Sequence, residues 1–338
     1  MNRYSRQQLF APIGEKGQQC IRKKHVLIIG AGALGAANAE TLVRAGVGKV
    51  TIVDRDYVEW SNLQRQQLYT EDDAAKQLPK AIAAFAHLQA INHDVVVEPI
   101  VADADARVLD RLVARGRPDV IIDSTDNFDV RMIINDVSQK YDVPWIYGAC
   151  VGSYGLSYVI IPNETPCLRC LLEEVPLGIA TCDIAGIISP AVHMVVAHQT
   201  AEALKICIHA PVNRKLVSFD IWHGQYRMID VQKLKKDDCP SCGKTRTYPA
   251  LQYENETKFA VLCGRETVQI RPAQRREREW TALISFLQQK GIQVVQNDYL
   301  CSFTVDGRRF VVFSDGRVFI HGTNDIQEAK KLYYQYLG

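Results

Sequence analysis

Two pairs of cysteines, Cys167-Leu168-Arg169-Cys170 and Cys239-Pro240-Ser241-Cys242, carry the clearest metal-binding pattern in the chain. Four thiolates set as two C-x-x-C knuckles complete a tetrahedral zinc shell and leave no open position for substrate, so a structural zinc site is expected. A single C-x-x-C could be redox-active, but the pairing and the Ser-Cys-Gly ending favour zinc. His193 and His198 lie five residues apart on a predicted helix. They do not share a face as ligands at i, i+4 would, and packing is their expected role.

A second constellation binds phosphate. Gly30-Ala31-Gly32-Ala33-Leu34-Gly35 joins the apolar run His25–Ile29 to the helical pattern Leu34–Val43. Backbone N–H groups and the helix dipole at such a turn receive anions. Asp54 closes the next strand, where a carboxylate can accept hydrogen bonds from ribose hydroxyls. On these residues alone, an NAD-dependent or FAD-dependent oxidoreductase is the ordinary reading. The polar segment Asp54-Arg55-Asp56 through Ser61-Asn62-Leu63-Gln64-Arg65-Gln66 is rich in phosphate and metal ligands that a dehydrogenase does not need.

With Arg3-Tyr4-Ser5-Arg6-Gln7, Pro79-Lys80 and Ser124-Thr125-Asp126-Asn127 added, the sequence resembles the ThiF/MoeB/HesA family of adenylyltransferases, relatives of the ubiquitin-activating enzymes. The resemblance covers roughly the first 245 residues and rests on the motifs in combination. It implies ATP-dependent adenylation of the C-terminal glycine carboxylate of a ubiquitin-like sulfur-carrier protein ending in Gly-Gly, for thiamine (thiazole) or molybdopterin synthesis. It also places Gly30, Gly32, Gly35, Asp56, Gln66 and Asn127 in the nucleotide site, with Asp54 on the ribose. Asn62, Arg65 and Lys80 fall to the phosphates, and Asp126 to magnesium and nucleotide orientation. Arg6 would reach the terminal phosphates of a partner subunit, so a homodimer is implied. Taken singly, Arg6 or Arg65 would read as half of a surface ion pair. The reaction needs such cations, because a carboxylate must approach a phosphate and pyrophosphate must leave.

Cys182, in Ala180-Thr181-Cys182-Asp183, matches a family cysteine that in ThiF-like enzymes can bond to the activated carrier; a buried structural thiol is the competing reading. Cys263-Gly264-Arg265 does not reproduce the rhodanese loop found in longer relatives. The sulfur is therefore expected from a separate donor, a cysteine desulfurase or a rhodanese-type protein. Besides the oxidoreductase, a non-catalytic zinc-stabilised nucleotide-binding scaffold is the remaining alternative, made less favourable by Arg6, Arg65, Lys80 and Asp126 occurring together.

The elements that must position these residues alternate: strands His25–Ile29, Lys49–Val53, Asp94–Val101, Asp119–Asp123 and Pro144–Tyr147 interleave with helical patterns at Pro79–Ile91, Ala104–Ala114 and Asp129–Lys140. This predicts an α/β fold, a doubly wound, Rossmann-like and mostly parallel sheet with its crevice at the carboxyl ends of the strands. Gly152–Ile161 reads as a strand or hairpin, and Ser189-Pro190 opens a helix to about Cys207. An adenylation domain over 1–247 is expected, its nucleotide half about 1–150 and its carrier and zinc half about 151–247. A small α+β extension over 248–338 would follow, with a strand Phe259–Ile270, a helix Trp280–Gln289, hairpin turns at Asp306-Gly307 and Asp315-Gly316, and a terminal helix Ile326–Tyr336. The charged run Arg275–Glu279 is expected on its solvated surface.

Composition is that of a globular protein: of 338 residues 47% are hydrophobic and 23% charged, with a formal net charge of +2. There is no basic excess to draw nucleic acid or an anionic membrane. The longest uncharged apolar stretch, Val26–Ala39, is too short to span a bilayer and is broken by three glycines. The expectation is a cytoplasmic protein whose ten cysteines are reduced or metal-bound.

Overall fold

The structure, a computed structural model, describes residues 2–172, 186–252, 258–261, 266–272 and 280–337. The chain divides into two compact units, Met1–Tyr253 and Glu254–Gly338. The first is built on eight strands: β1 (His25–Ile29), β2 (Lys49–Asp54), β3 (Val96–Val101), β4 (Val120–Asp123), β5 (Trp145–Val151), β6 (Tyr154–Ile160), β7 (Leu216–Asp220) and β8 (Gln225–Ile229). Their order in the sheet is 3-2-1-4-5-6-7-8. Strands 1 to 5 pair in parallel, as the alternation of strand and helix predicts. Strands 5 to 8 pair antiparallel. β7 is buried along most of its length, but all five residues of β8 are exposed, so burial imposes little pattern there.

The first strands read as unbroken apolar runs because both faces of the sheet are covered. Val26 and Ile28 of β1 point into one core with Val50, Ile52 and Ile122, while Leu27 and Ile29 join Val53 and Ile121 in the other. Residues of helices Ala33–Ala45 and Lys80–Ile91, among them Leu42, Val43, Ala84 and Leu88, cover the first face. Leu109 and Val113 of helix Ala106–Gly116 and Ile134 and Val137 of helix Phe128–Tyr141 cover the second. β1 lies between β2 and β4, the point where strand order reverses. In such sheets a crevice opens there, at the carboxyl ends of the strands.

The second unit, in its described residues, is a six-stranded antiparallel sheet with the helices Trp280–Gln289 and Ile326–Tyr336. Its strands, β9 (Lys258–Val261), β10 (Thr267–Arg271), β11 (Val294–Gln296), β12 (Leu300–Val305), β13 (Arg308–Phe313) and β14 (Val318–His321), lie in the order 11-12-13-14-10-9. The single strand expected over Phe259–Ile270 is instead two strands folded back on each other, with Val261 opposite Val268. Reversal lets the phenylalanine-containing and valine-containing halves pair instead of running on past the sheet. The two hairpin turns fall where the Asp-Gly pairs put them; Asp306 and Gly307 both take positive φ, 51° and 71°, as a type I′ turn requires. One sheet face, with Phe303, Phe310, Val312 and Ile320, packs against Ala329, Leu332 and Tyr333 of the last helix. The run Arg275–Glu279 lies outside the described residues. No helix among the described residues is long and apolar enough to cross a membrane.

Candidate nucleotide site and cysteine cluster

The glycine loop begins directly after β1, and Ser124 directly after β4; Gly30 donates to the Val53 carbonyl at 2.8 Å and Ser124 to that of Ile29 at 2.9 Å. Packing within the protein explains two of the three glycines. Gly30 has φ +94°, and a Cβ there would lie 2.6 Å from the Ser124 carbonyl oxygen; a Cβ on Gly35 would lie 1.8 Å from the Gly30 oxygen. Gly32 is different: its φ is −74°, and the nearest atom to a Cβ would be Gln66 Nε2 at 3.9 Å. Nothing among the described residues demands glycine there. The bare backbone lies at the N-terminus of helix Ala33–Ala45, where an anion would approach.

Asp54 braces this loop. One carboxylate oxygen accepts from the Ala31 N–H and the other from the Asp56 N–H, each at 2.6 Å. Burial raises its pKa, and nearby Lys80 opposes that shift. Each oxygen keeps a further lone pair, so the bracing role leaves capacity for a ribose hydroxyl. Lys80 opens helix Lys80–Ile91. It is aligned by its own N–H donating to the Asp56 carbonyl at 2.9 Å and by the Tyr57–Pro79 bridge. Its side chain is only 4% exposed, and its Nζ lies 3.4 Å from Asp56 Oδ2, a long contact for a buried ammonium.

The Ser61–Gln66 segment folds as a short 3-10 turn, Trp60–Asn62, that runs on toward Gln66. Asn62 is buried, and its Oδ1 accepts from the Glu59 N–H at 3.2 Å. Half-buried Arg65 donates to the Ser61 carbonyl at 3.0 Å. Gln66 is 3% exposed, and its Oε1 has no hydrogen-bond partner among the described residues; the same is true of the buried Ser124 Oγ. Two orphaned polar atoms beside a glycine loop fit a polar ligand, because a buried donor or acceptor costs free energy until it is paired.

On the β4 side, Asp123 is fully buried and ion-paired with Arg131 Nε at 3.0 Å; it also accepts from the Thr125 N–H and hydroxyl at 2.9 and 2.7 Å. Arg131 in turn donates to the Thr125 carbonyl at 2.6 Å and to that of Gly148 at 3.2 Å. This pair fixes the turn that presents Asp126, which is exposed to solvent at the crevice. Asn127 is the N-cap of helix Phe128–Tyr141, its Oδ1 accepting from Asp129 and Val130 N–H groups. Gln199, buried on helix Ser189–Cys207, donates to the Asp123 and Ile146 carbonyls and accepts from Asn38, tying the helices behind the loop to both strands. Arg131 and Gln199 were not among the residues expected from sequence. Each acts through contacts distant in the chain, which no local spacing announces.

Arg6 is not brought to the other residues. It sits on helix Ser5–Leu9, which Gln7 fastens to the Ala45 carbonyl at 3.0 Å and Tyr4 packs against Gly46, at the C-terminal end of helix Ala33–Ala45. The glycine loop is at the other end of that 13-residue helix, about 20 Å away at 1.5 Å per residue. Cys182 lies outside the described residues.

The four knuckle cysteines converge. Their sulfurs all lie within 4.8 Å of one another, with Cys167–Cys239 at 3.7 Å, Cys170–Cys242 at 3.6 Å and Cys167–Cys170 at 3.9 Å. Ligands about 2.3 Å from a tetrahedral zinc would be about 3.8 Å apart, so the set fits zinc without rearrangement. Helix Phe128–Tyr141 carries the supporting shell: Asn135 accepts from the Leu168 N–H at 2.8 Å, and fully buried Asp136 accepts from the Ser241 hydroxyl and the Ala250 N–H. Arg169 completes it by donating to Ser241 at 2.8 Å. His198 stacks on Tyr226 with ring centroids 5.8 Å apart, a packing role as expected, while His193 is exposed.

Comparison with known proteins places this geometry. Residues 4–241 match the model of the ThiF family. The chain is 53% identical to the sulfur carrier protein ThiS adenylyltransferase of Bacillus subtilis over 336 residues, 99% of each chain. It is 33% identical to the molybdopterin-synthase adenylyltransferase of Escherichia coli, covering 72% of this chain and 97% of that one. Among solved structures, E. coli MccB with MccA-N7isoASN shares the fold with a TM-score of 0.62 at 22% identity, covering 72% of this chain and 75% of that one. On its sequence match and its identity to these relatives, the chain belongs to the ThiF family.

Proposed function

We propose that the chain adenylates the C-terminal glycine carboxylate of a ubiquitin-like sulfur-carrier protein ending in Gly-Gly, releasing pyrophosphate and preparing the carrier for thiocarboxylate formation. The observation that carries this reading is the cluster around the glycine loop: a buried Lys80, Arg65, the orphaned polar atoms of Gln66 and Ser124 beside the loop, and Gly32, near which the Gln66 side chain lies and where packing does not require glycine. A dinucleotide needs the loop and Asp54 but not this concentration of cation and polar donors. ATP does, because negative charge grows on the departing pyrophosphate as the carboxylate attacks.

In this reading the Gly32 backbone and the helix N-terminus hold phosphate, Asp54 holds the ribose, and Asn62, Arg65 and Lys80 neutralise the phosphate oxygens. Magnesium supplies further charge neutralisation when bound, with Asp126 as its ligand. Zinc in the four-cysteine cluster supplies rigidity only. A homodimer is supported by the position of Arg6, about a helix length from its own glycine loop, and by Leu9 and Phe10 beside it, 72% and 60% exposed. Arg6 would complete the partner's site. Full-length similarity to a ThiS adenylyltransferase favours a ThiS-like carrier and the thiamine branch, in the cytoplasm, with sulfur delivered by a separate donor.

The test is ATP–pyrophosphate exchange with purified carriers. Exchange is expected with a ThiS-like carrier and abolished when its terminal glycine is removed. Lack of exchange with every Gly-Gly carrier, or tighter binding of NADH than of ATP, would reject the reading.

A further inference from the structure

Tyr69 lies just beyond the polar segment, 6% exposed, between two elements that the chain joins only at long range. Its hydroxyl is 2.7 Å from the Ala31 carbonyl oxygen in the glycine loop and 3.2 Å from the Lys80 carbonyl oxygen at the first turn of helix Lys80–Ile91. We propose that Tyr69 is a positioning residue for phosphate, its single hydroxyl proton shared between the loop and the Lys80 turn so that the two move as one body. The proposal rests on the assignment of the loop and Lys80 to the phosphates of ATP.

The geometry gives the hydroxyl a specific task. In a trans peptide the C=O and N–H point in opposite directions. Asp54 already holds the Ala31 N–H, which fixes the peptide before Ala31. Tyr69 holds the Ala31 carbonyl, which fixes the next peptide and turns the Gly32 N–H to the side away from the tyrosine. Gly32 is the loop position left open for a ligand. At its other contact, the hydroxyl restrains the backbone from which the Lys80 side chain reaches toward Asp56. Without the proton, two carbonyls would share a buried site with no donor, and the loop and the helix would lose their common reference. Burial, with Asp54, Asp73 and Asp56 nearby, holds the phenol well above its usual range, so the hydroxyl remains a donor at all working pH.

Tyr69→Phe keeps the ring and removes only the hydroxyl, and with it the donor to both carbonyls. Binding of ATP with magnesium and of adenosine should be compared in the full-length protein, with Lys80→Ala measured in parallel. For Tyr69→Phe the expected result is about tenfold weaker ATP binding, the order of one lost hydrogen bond in a preorganised site, with adenosine binding unchanged. Equal losses for ATP and adenosine would mark Tyr69 as a core residue and overturn the proposal, as would unchanged ATP binding. A Lys80→Ala variant that binds ATP like wild type would instead show that the phosphate assignment itself fails, whatever Tyr69 does.

Discussion

The glycine-loop crevice and the cysteine cluster are opposite solutions to burying polar groups. Around the cysteines, Asn135, Asp136, Arg169 and Ser241 all have hydrogen-bond partners, and the sulfur spacing leaves room for one tetrahedral ion and nothing more. Around the glycine loop, Gln66 and Ser124 keep buried atoms without partners, and Lys80 faces its carboxylate at a long 3.4 Å. A saturated shell resists change and suits a fastening. An unsaturated one is held by the rest of the fold at a cost in stability, and that cost is recovered only when a ligand arrives. One element serves both: helix Phe128–Tyr141 begins at the Asn127 cap beside the crevice and carries Asn135 and Asp136 to the knuckles.

If this contrast is right, substitutions at the crevice should remove activity and spare the fold, and those at the cluster should do the reverse. The largest effect is expected for Arg65→Ala and Lys80→Ala. Each should lower carrier-dependent pyrophosphate exchange by roughly two to three orders of magnitude, the usual loss for one charge-stabilising donor. Melting temperature should change little for Arg65→Ala, whose side chain is half-buried and, among the described residues, donates to a neighbouring carbonyl. Near-normal exchange in both variants would remove the basis for the phosphate assignment.

Gly32→Ala tests the open position directly. Among the described residues there is space for the methyl group and no positive φ to oppose it, so thermal stability should be kept. A bound phosphate would meet that methyl, and ATP binding should weaken by about tenfold or more as loop hydrogen bonds are lost. Gly35→Ala is the control with the opposite pattern, because its Cβ would meet the Gly30 carbonyl and disturb folding first. Equal ATP affinity in wild type and Gly32→Ala would place the phosphates elsewhere.

These two glycines also mark how far the sequence could be read. The loop, Asp54 and the cysteine knuckles are legible because each depends on spacing within a few residues, and the parallel strands because burial on both faces forces apolar runs. The Asp123–Arg131 pair and the Tyr69 clamp are not, since an arginine or a tyrosine in a mixed segment has the same local signature whether it is buried against a strand end or solvated. The antiparallel half of the main sheet was harder to read for a related reason. Tyr226, Met228 and Ile229 of β8 are 47%, 48% and 42% exposed, so the strand has no inside and outside to alternate between. In the second unit, one strand was expected over Phe259–Ile270 where two pair, the apolar residues on either side of Gly264-Arg265-Glu266 belonging to different strands. Apolar periodicity reports burial and not where the chain turns.

At the cluster, Cys239→Ser should lower bound zinc from one equivalent per protomer and reduce the melting temperature by roughly 10 °C, a few kcal/mol in a unit of this size. ATP affinity of the folded variant should stay within about threefold, because perturbations at separate sites without shared partners are nearly independent. Metal-free protein with wild-type melting would end the zinc assignment. A large loss of ATP affinity at unchanged melting would show that helix Phe128–Tyr141 transmits more between the two regions than the contrast allows.

The smallest effect on exchange is expected for Cys182→Ala, and it separates two chemical steps. In adenylation the nucleophile is the carrier's own carboxylate, which attacks the α-phosphate while pyrophosphate leaves; no enzyme thiol takes part. Exchange should therefore proceed at the wild-type rate. If Cys182 acts afterwards, its thiolate attacks the carbonyl of the acyl-adenylate, AMP departs, and a thioester joins enzyme to carrier. Mass spectrometry of wild type with carrier and ATP would then show an adduct heavier than the enzyme by the carrier less one water, discharged by excess thiol and missing from Cys182→Ala. No adduct with a productive carrier would mean that the adenylate passes directly to the external sulfur donor. Loss of exchange in a correctly folded Cys182→Ala would contradict the division itself, because it would put the thiol in the step proposed for Arg65, Lys80 and Asp126.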